Sequence, residues 1–273
     1  MKRWIVGEIS PRRFLGSALF LYASLALFAL LGADRLLYRP YPTAYVDTDT
    51  TIKLTTASGA RISAVFSATP GARYTVLYSH GSAEDLDDIG YLVDEIRDLG
   101  LDVLAYDYEG YGTSEGAPSE RGIYEDIDAA YRYLTEVRGI APERVILYGR
   151  SLGSGPAVDL ASRADVGGLV LESAFTSAFR VATRVRLLPW DQFDNLGKMP
   201  RVRCPVLVLH GTADPLVKLR QAQQLFKAAK GPKLALWIEG AGHGDVTHLA
   251  GPRFGASMRA LLELTAEAPR AAP

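Results

Sequence analysis

The sequence predicts an α/β protein built on a mostly parallel, doubly wound sheet and preceded by one apolar helix. Three observations carry this. Short β-rich runs alternate with amphipathic helical patterns across residues 51–266. The later runs, such as RVILYGR (144–150) and PVLVLHG (205–211), are almost continuously apolar, as strands covered on both faces are. An uncharged stretch from Phe14 to Ala33 stands apart from this alternation.

That stretch follows Lys2, Arg3, Arg12 and Arg13. As a helix it is about 30 Å long at about 1.5 Å rise per residue, the thickness of a bilayer's hydrocarbon core. A secretory signal peptide has a shorter apolar region, about 7–15 residues, and LLGADR is a mediocre cleavage site. An uncleaved signal-anchor over 14–33 is therefore expected, ahead of a cleaved signal on a secreted protein and of a helix buried in the fold. Four basic residues and Glu8 precede the span, while Asp34, Arg35 and Arg39 follow it. The excess places residues 1–13 in the cytoplasm and the remainder in the periplasm or outside the cell. A proline-containing linker covers 34–50, one domain covers 51–266, and the Ala/Pro-rich tail 267–273 is expected to fray.

Within the domain, TIKLTT (51–56) and RISAVFSA (61–68) have no helix between them, which predicts an antiparallel edge hairpin across Ser58-Gly59. YTVLYSH (74–80), LDVLAYDY (101–108), RVILYGR, GGLVLES (167–173), PVLVLHG and LALWIEG (234–240) continue the sheet through right-handed crossovers. Residues 83–100 place Leu86, Ile89, Leu92, Val93 and Ile96 on one helical stripe. Residues 119–139 do the same with Ile123, Ile127, Ala130, Tyr131 and Leu134. Gly100, Gly139 and, for a third helix over 221–231, Gly231 stand where helices end.

Composition narrows the function. The 273 residues are 48% hydrophobic and 22% charged with a formal net charge of −1, ordinary for a globular chain with a sizeable core. That balance gives no electrostatic reason to expect nucleic acid. Cys204 is the only cysteine, which excludes an intramolecular disulfide and a thiolate metal cluster and leaves a small hydrophobe before a strand. GYGTSEG (110–116) does not fit G-x-G-x-x-G, and no H-E-x-x-H occurs, so neither cofactor nor metal is expected.

In a doubly wound sheet, functional groups collect at the carboxyl ends of strands. Three such ends carry Ser151, Asp214 and His243, in that order. GRSLG fits G-x-S-x-G directly after an apolar strand and before the helical pattern GPAVDLASR. That context is the nucleophile elbow, a strained turn in which Gly149 and Gly153 permit close backbone approach. Asp214 alone reads as a turn or helix-cap residue, but its loop lets a carboxylate reach a histidine. His243 lies between glycines with little packing to do, whereas His80 and His210 close strands as "HG" and His248 begins the final helix. A serine needs a base to take its proton, and the base needs a carboxylate to fix its tautomer. The oxyanion donors assigned are the backbone N–H groups of Leu152 and of Ser82, the latter in the turn after His80-Gly81. Glu172, ending GGLVLES, is a rival acid.

LYSHGSAEDL, YDYEGYGTSEGAPSE, YEDIDAAYRYL, ILYGRSLGSGPAVDLASR, PVLVLHGTADPLV and IEGAGHGDV resemble, in order, the motifs of the ABHD17/Bem46-like α/β-hydrolases. The resemblance covers about 50–265. It implies an α/β-hydrolase fold with Ser151 as nucleophile, Asp214 as acid, His243 as base and an oxyanion turn after His80-Gly81. It also implies kinship with membrane-associated acyl-thioesterases that deacylate protein cysteines. Those relatives reach the membrane through a lipidated cysteine-rich N-terminus, for which this chain has an apolar span instead. The expected activity is an anchored esterase, lipase or thioesterase acting on an acyl substrate, with no obligate protein partner. A tethered binding protein and a serine peptidase on the same fold are the alternatives. Residues 174–200 read as a lid bearing Phe175, Phe179, Val181, Leu187, Leu188, Trp190 and Phe193, which fit either a helix covering the sheet or an acyl-chain pocket. Arg180, Arg184 and Arg186 fit either anionic headgroups or a solvated helix face.

Overall fold

The structure, a computed structural model, describes residues 11–183 and 187–268. Lys2, Arg3, Glu8, Arg184, Arg186 and the end of the tail lie outside the described residues. The chain divides after Arg39 into two units. In the first, helix α1 (Pro11–Leu31) is followed by the short α2 (Ala33–Leu37). Its segment Pro11–Ala29 is long and apolar enough to cross a membrane.

The second unit carries an 8-stranded sheet. β1 (Thr51–Thr55) and β2 (Arg61–Ser67) form the expected antiparallel edge hairpin, and β2 also runs antiparallel to β4 (Asp102–Tyr106). From β4 through β3 (Thr75–Ser79), β5 (Val145–Arg150), β6 (Gly168–Glu172) and β7 (Val206–Gly211) to β8 (Lys233–Ile238), every pairing is parallel. β3 lies between β4 and β5, so chain direction around the sheet reverses there, and the crevice beyond β3 and β5 is where such sheets bind ligands. β3, β5, β6 and β7 are buried at every residue, the physical basis of their unbroken apolar runs.

Helices α3 (Gly90–Arg97), α4 (Glu120–Arg132), α5 (Ser154–Ala161), α6 (Leu219–Ala228) and α7 (Pro252–Glu267) cover the sheet. Ser119 caps α4 by accepting the Gly122 N–H at 3.0 Å. The stripe over 83–100 is buried as expected, yet only its second half is helical. Asp88 accepts the Asp85 N–H at 3.1 Å and Asp85 accepts the Asp87 N–H at 2.9 Å. Such side-chain turns satisfy donors that a helix would have used. Gly100 and Gly139 have φ of +82° and +67° at helix ends, as predicted. Gly231 does not: α6 stops at Ala228, and a Cβ on Gly231 would lie 2.7 Å from the Arg203 carbonyl oxygen, so close approach rather than capping selects glycine there. Cys204 lies just before β7, and burial pushes its thiol up to about 12.

The tightest junction joins α5 to the sheet. A Cβ on Gly153 would stand 2.0 Å from the Ser79 carbonyl oxygen, and one on Gly149 would stand 2.4 Å from the Gly153 carbonyl oxygen. Gly153→Ala is therefore expected to cost at least about 1–3 kcal/mol by overpacking. Gly242, whose added Cβ would meet nothing nearer than 3.4 Å, serves as control, with an expected cost under about 0.5 kcal/mol. Urea melts of the two variants make the comparison; equal costs would show that the α5 junction yields.

A second prediction concerns Asp126 on α4. Burial pushes its carboxyl up to about 8, with Glu109 and Glu125 adding to the shift and the Glu109 N–H, which it accepts at 2.9 Å, opposing it. The folded chain thus holds a proton that the unfolded chain releases near its ordinary value of 3.8. Between these values the folded state binds more protons, so this group's contribution to stability falls as pH rises. Asp126→Asn mimics the protonated acid and should flatten the decline in melting temperature between pH 5 and 9. Parallel curves for the two proteins would contradict this.

Candidate active site

β5 delivers the chain to Ser151, whose φ is +51°. A residue with a Cβ seldom adopts that left-handed conformation. The 3₁₀ turn Ser151–Gly153 runs straight into α5, and the Ser154 hydroxyl donates to the Ser151 carbonyl at 2.7 Å. Ser151 therefore stands half-buried at the carboxyl edge of the sheet.

The three strand ends singled out by sequence converge. Ser151 Oγ lies 2.9 Å from His243 Nε2, and His243 Nδ1 lies 2.7 Å from Asp214 Oδ2. An ionised carboxylate only accepts, so Nδ1 carries the hydrogen and Nε2 is left to accept the Ser151 hydroxyl. Exposure grades along the chain: the His243 side chain is 23% accessible and that of Asp214 0%.

Asp214 is held from below and behind. Its Oδ1 accepts the N–H groups of Leu216 at 2.8 Å and Val217 at 2.9 Å. Burial opposes its charge, but the His243 hydrogen bond and charge together with those two N–H groups hold its carboxyl below the usual range. His210 is fully buried beneath it, donating from Nε2 to the Val217 carbonyl at 2.8 Å, so it shapes the acid loop. Burial pulls the His210 imidazole down. The acid and histidine loops are joined by the Ala213 N–H donating to the Ala241 carbonyl at 2.9 Å.

On the other side of Ser151 lies the turn after β3. A Cβ on Gly81 would be 3.7 Å from Ser151 Cβ, so this turn borders the hydroxyl. The Gly81 N–H donates to Glu84 Oε2 at 2.7 Å, leaving the Ser82 N–H as the next donor in the turn. Leu152 occupies the first turn ahead of α5, where N–H groups lack intrahelical acceptors. His80 is fully buried, with Nδ1 donating to the Gly81 carbonyl at 2.7 Å and its ring tilted 41° against that of Tyr108 at a centroid distance of 4.3 Å. It shapes the turn, as its strand-closing position predicted.

Glu172 is engaged elsewhere. Its Oε2 accepts the Tyr148 hydroxyl at 2.6 Å and its Oε1 is 3.5 Å from Arg150 Nε. Burial pushes its carboxyl above the usual range against the pull of Arg150 and Tyr148. Three contributors escaped sequence reasoning. Arg150, inside the quoted motif, donates from Nη2 to the Gly244 carbonyl at 2.9 Å and pairs through Nη1 with Glu84. Ser173 has φ of +51° and donates its hydroxyl to the His243 carbonyl at 2.9 Å. Only Arg150 left a signal, a charge flanked by apolar and glycine positions.

The insertion 174–200 divides between its two readings. Phe175, Leu188 and Phe193 are buried, with Phe193 filling the space a Gly155 Cβ would take, 2.3 Å from its Cδ1. Leu187 and Trp190 are exposed at 47% and 36%, which leaves them available to a ligand. The segment is fastened by Thr176, whose N–H donates to Gln221 Oε1 at 3.0 Å, and by the Phe193 N–H donating to Glu120 Oε1 at 2.7 Å.

Known proteins resemble this chain in sequence and in fold. A family model described as serine aminopeptidase, S33, matches residues 70–193. The α/β-hydrolase domain-containing protein 17B of Xenopus tropicalis is 41% identical over 195 residues, which span 70% of this chain and 68% of that protein. Its human counterpart is 40% identical over the same shares. Among solved structures, the esterase Pf2001 of Pyrococcus furiosus superposes with a TM-score of 0.69 at 19% identity, covering 83% of this chain and 98% of that one. A monoacylglycerol lipase from Paleococcus ferrophilus gives 0.60 at 21% identity, covering 76% and 99%. Identities that low show the fold alone, whereas the 17B proteins are alike in sequence across most of their length. The chain belongs to the α/β-hydrolases of the domain-containing protein 17 family.

Proposed function

We propose that this hydrolase is a membrane-anchored serine esterase or thioesterase that cleaves an acyl, lipid-like substrate through an acyl-enzyme. The single observation behind this reading is the continuous chain Ser151–His243–Asp214 at 2.9 and 2.7 Å. In the first half-reaction Ser151 Oγ attacks the acyl carbonyl while its proton passes to His243 Nε2. The carbonyl π electrons move onto oxygen, and the N–H groups of Ser82 and Leu152 hold the resulting oxyanion. Collapse expels the alcohol or thiol, which takes the proton from His243. Water then attacks the acyl-serine through the same groups and releases the acid. Asp214, charged and acceptor-only, fixes the imidazole tautomer throughout.

The membrane part rests on helix α1 and the basic Arg12 and Arg13 before its apolar stretch. We assign 1–13 to the cytoplasm, 14–33 to the span, 34–50 to a linker, 51–266 to the catalytic domain with its lid at 174–200, and 267–273 to a tail. The exposed Leu187 and Trp190 support an acyl-binding role for that lid. A second reading, peptide hydrolysis, is favoured by the description of the matching family model.

A fluorophosphonate probe should label the full-length protein, and Ser151→Ala should abolish labelling; an unlabelled parent would leave a tethered binding protein. Asp214→Asn is expected to lower kcat by about 10⁴ by releasing the histidine tautomer. Glu172→Gln should leave kcat within about tenfold, and the reverse ranking would move the acid to β6. Graded p-nitrophenyl esters and acyl-CoAs should be turned over in preference to aminoacyl anilides, and the opposite preference would make the enzyme a peptidase.

A further inference from the structure

Arg150 immediately precedes Ser151, yet its side chain is only 7% accessible. A guanidinium that buried persists only when its charge and donors are met. Here they are met by four separate segments. Nη1 pairs with Glu84 Oε1 and lies 3.1 Å from the Tyr91 hydroxyl, Nη2 donates to the Gly244 carbonyl at 2.9 Å, and Nε is 3.5 Å from Glu172 Oε1. Glu84 passes the connection on, because its other oxygen accepts the Gly81 N–H at 2.7 Å.

The strand ladders already fix the ends of β3, β5 and β6 relative to one another, with Ser79 opposite Gly149 and Arg150 opposite Glu172. They do not fix what lies beyond those ends. The turn bearing Ser82 and the loop bearing His243 extend past the last paired residues, and Arg150 touches both. A planar fork with donors on three nitrogens can bridge such loops at once, which a lysine ammonium cannot.

We infer that Arg150, acting through Glu84, is a positioning residue that registers the oxyanion turn and the His243 loop on the Ser151 elbow. The inference rests on the serine-hydrolase reading above. On this account the pair acts in the transition state: the Ser82 N–H and the imidazole must stand where the oxyanion and the transferred proton form.

The test uses the full-length protein, a p-nitrophenyl ester and an alkyl trifluoromethyl ketone, whose adduct with the serine carries an oxyanion. Glu84→Gln and Arg150→Lys should melt close to the parent, since in the first the amide oxygen still accepts from Arg150 and Glu172 still balances its charge, and the second keeps the buried charge. Each should lower kcat by about 10²-fold with KM within about twofold, the pattern of misplaced rather than missing groups. The inhibition constant of the ketone should rise in step with the loss in kcat/KM. The loss in Arg150→Lys should match that in Glu84→Gln although the positive charge is kept, because charge alone does not span the loops. Variants that melt early but keep the parent's kcat and ketone affinity would reduce Arg150 to a stabilising element and overturn the assignment, as would failure of both to fold. A parent that is neither labelled at Ser151 nor active would instead overturn the serine-hydrolase reading.

Discussion

The close contact between the first turn of α5 and the end of β3 constrains everything at the carboxyl edge of the sheet. With no Cβ at Gly153, the helix start rests on the Ser79 carbonyl, and β5 has one residue in which to reverse direction. That residue is Ser151, and its φ of +51° is the consequence. Holding a non-glycine residue there costs on the order of 1–3 kcal/mol. The buried ladders of β3 and β5 and the Ser154 bond back to the Ser151 carbonyl sustain the conformation. A strained serine at this place is thus a product of sheet packing, set before any partner approaches it.

Around that fixed point the structure buries charge, and it does so in compensated groups. Arg150 faces Glu84 and Glu172, Asp214 faces His243 with His210 beneath, and His80 faces Asp107, whose second oxygen accepts the Tyr45 hydroxyl. Each group joins residues distant in sequence, and each involves at least one loop that the ladders leave free. Buried ion pairs contribute little net stability over apolar residues of equal volume. Their value here is geometric: removing one partner strands the other in a poor solvent, so the loops have few alternative arrangements. Residue Tyr45 extends the same logic to the segment before β1, which also carries Asp47 in an ion pair with Lys53 at 2.7 Å.

Most of the sheet was legible because buried parallel strands leave continuous apolar runs, and because helix ends at Gly100 and Gly139 need positive φ. The strand-turn-helix around Ser151 and the loops bearing Asp214 and His243 were legible for a related reason, since catalytic residue types followed apolar strands in a fixed order. The helix over 83–100 was overread, because an amphipathic stripe reports burial and not hydrogen bonding, and Asp85 and Asp88 took the donors. Gly231 was misread because a glycine required by a neighbouring carbonyl looks the same in sequence as one required by a left-handed turn. Ser173 left no trace at all. Its bond to the His243 carbonyl spans 70 positions, and nothing local in either segment records it.

The two carboxylates at adjacent strand ends show why position alone does not assign an acid. Glu172 closes β6 and Asp214 follows β7, and both lie in the interior. Burial raises both, so the difference comes from what each oxygen meets. Asp214 accepts two backbone N–H groups and the His243 Nδ1–H, donors that favour the charged form and outweigh burial. Glu172 meets a phenol and a more distant guanidinium already shared with Glu84, and burial prevails. A carboxylate held in its charged form suits holding an imidazole N–H and stabilising the imidazolium that forms when a serine proton arrives, the role proposed for Asp214. The bond to His243 that sets the geometry is thus also a main cause of the lowered Asp214 carboxyl, in keeping with the acid role proposed for it, while Glu84 and Glu172 balance the charge of Arg150.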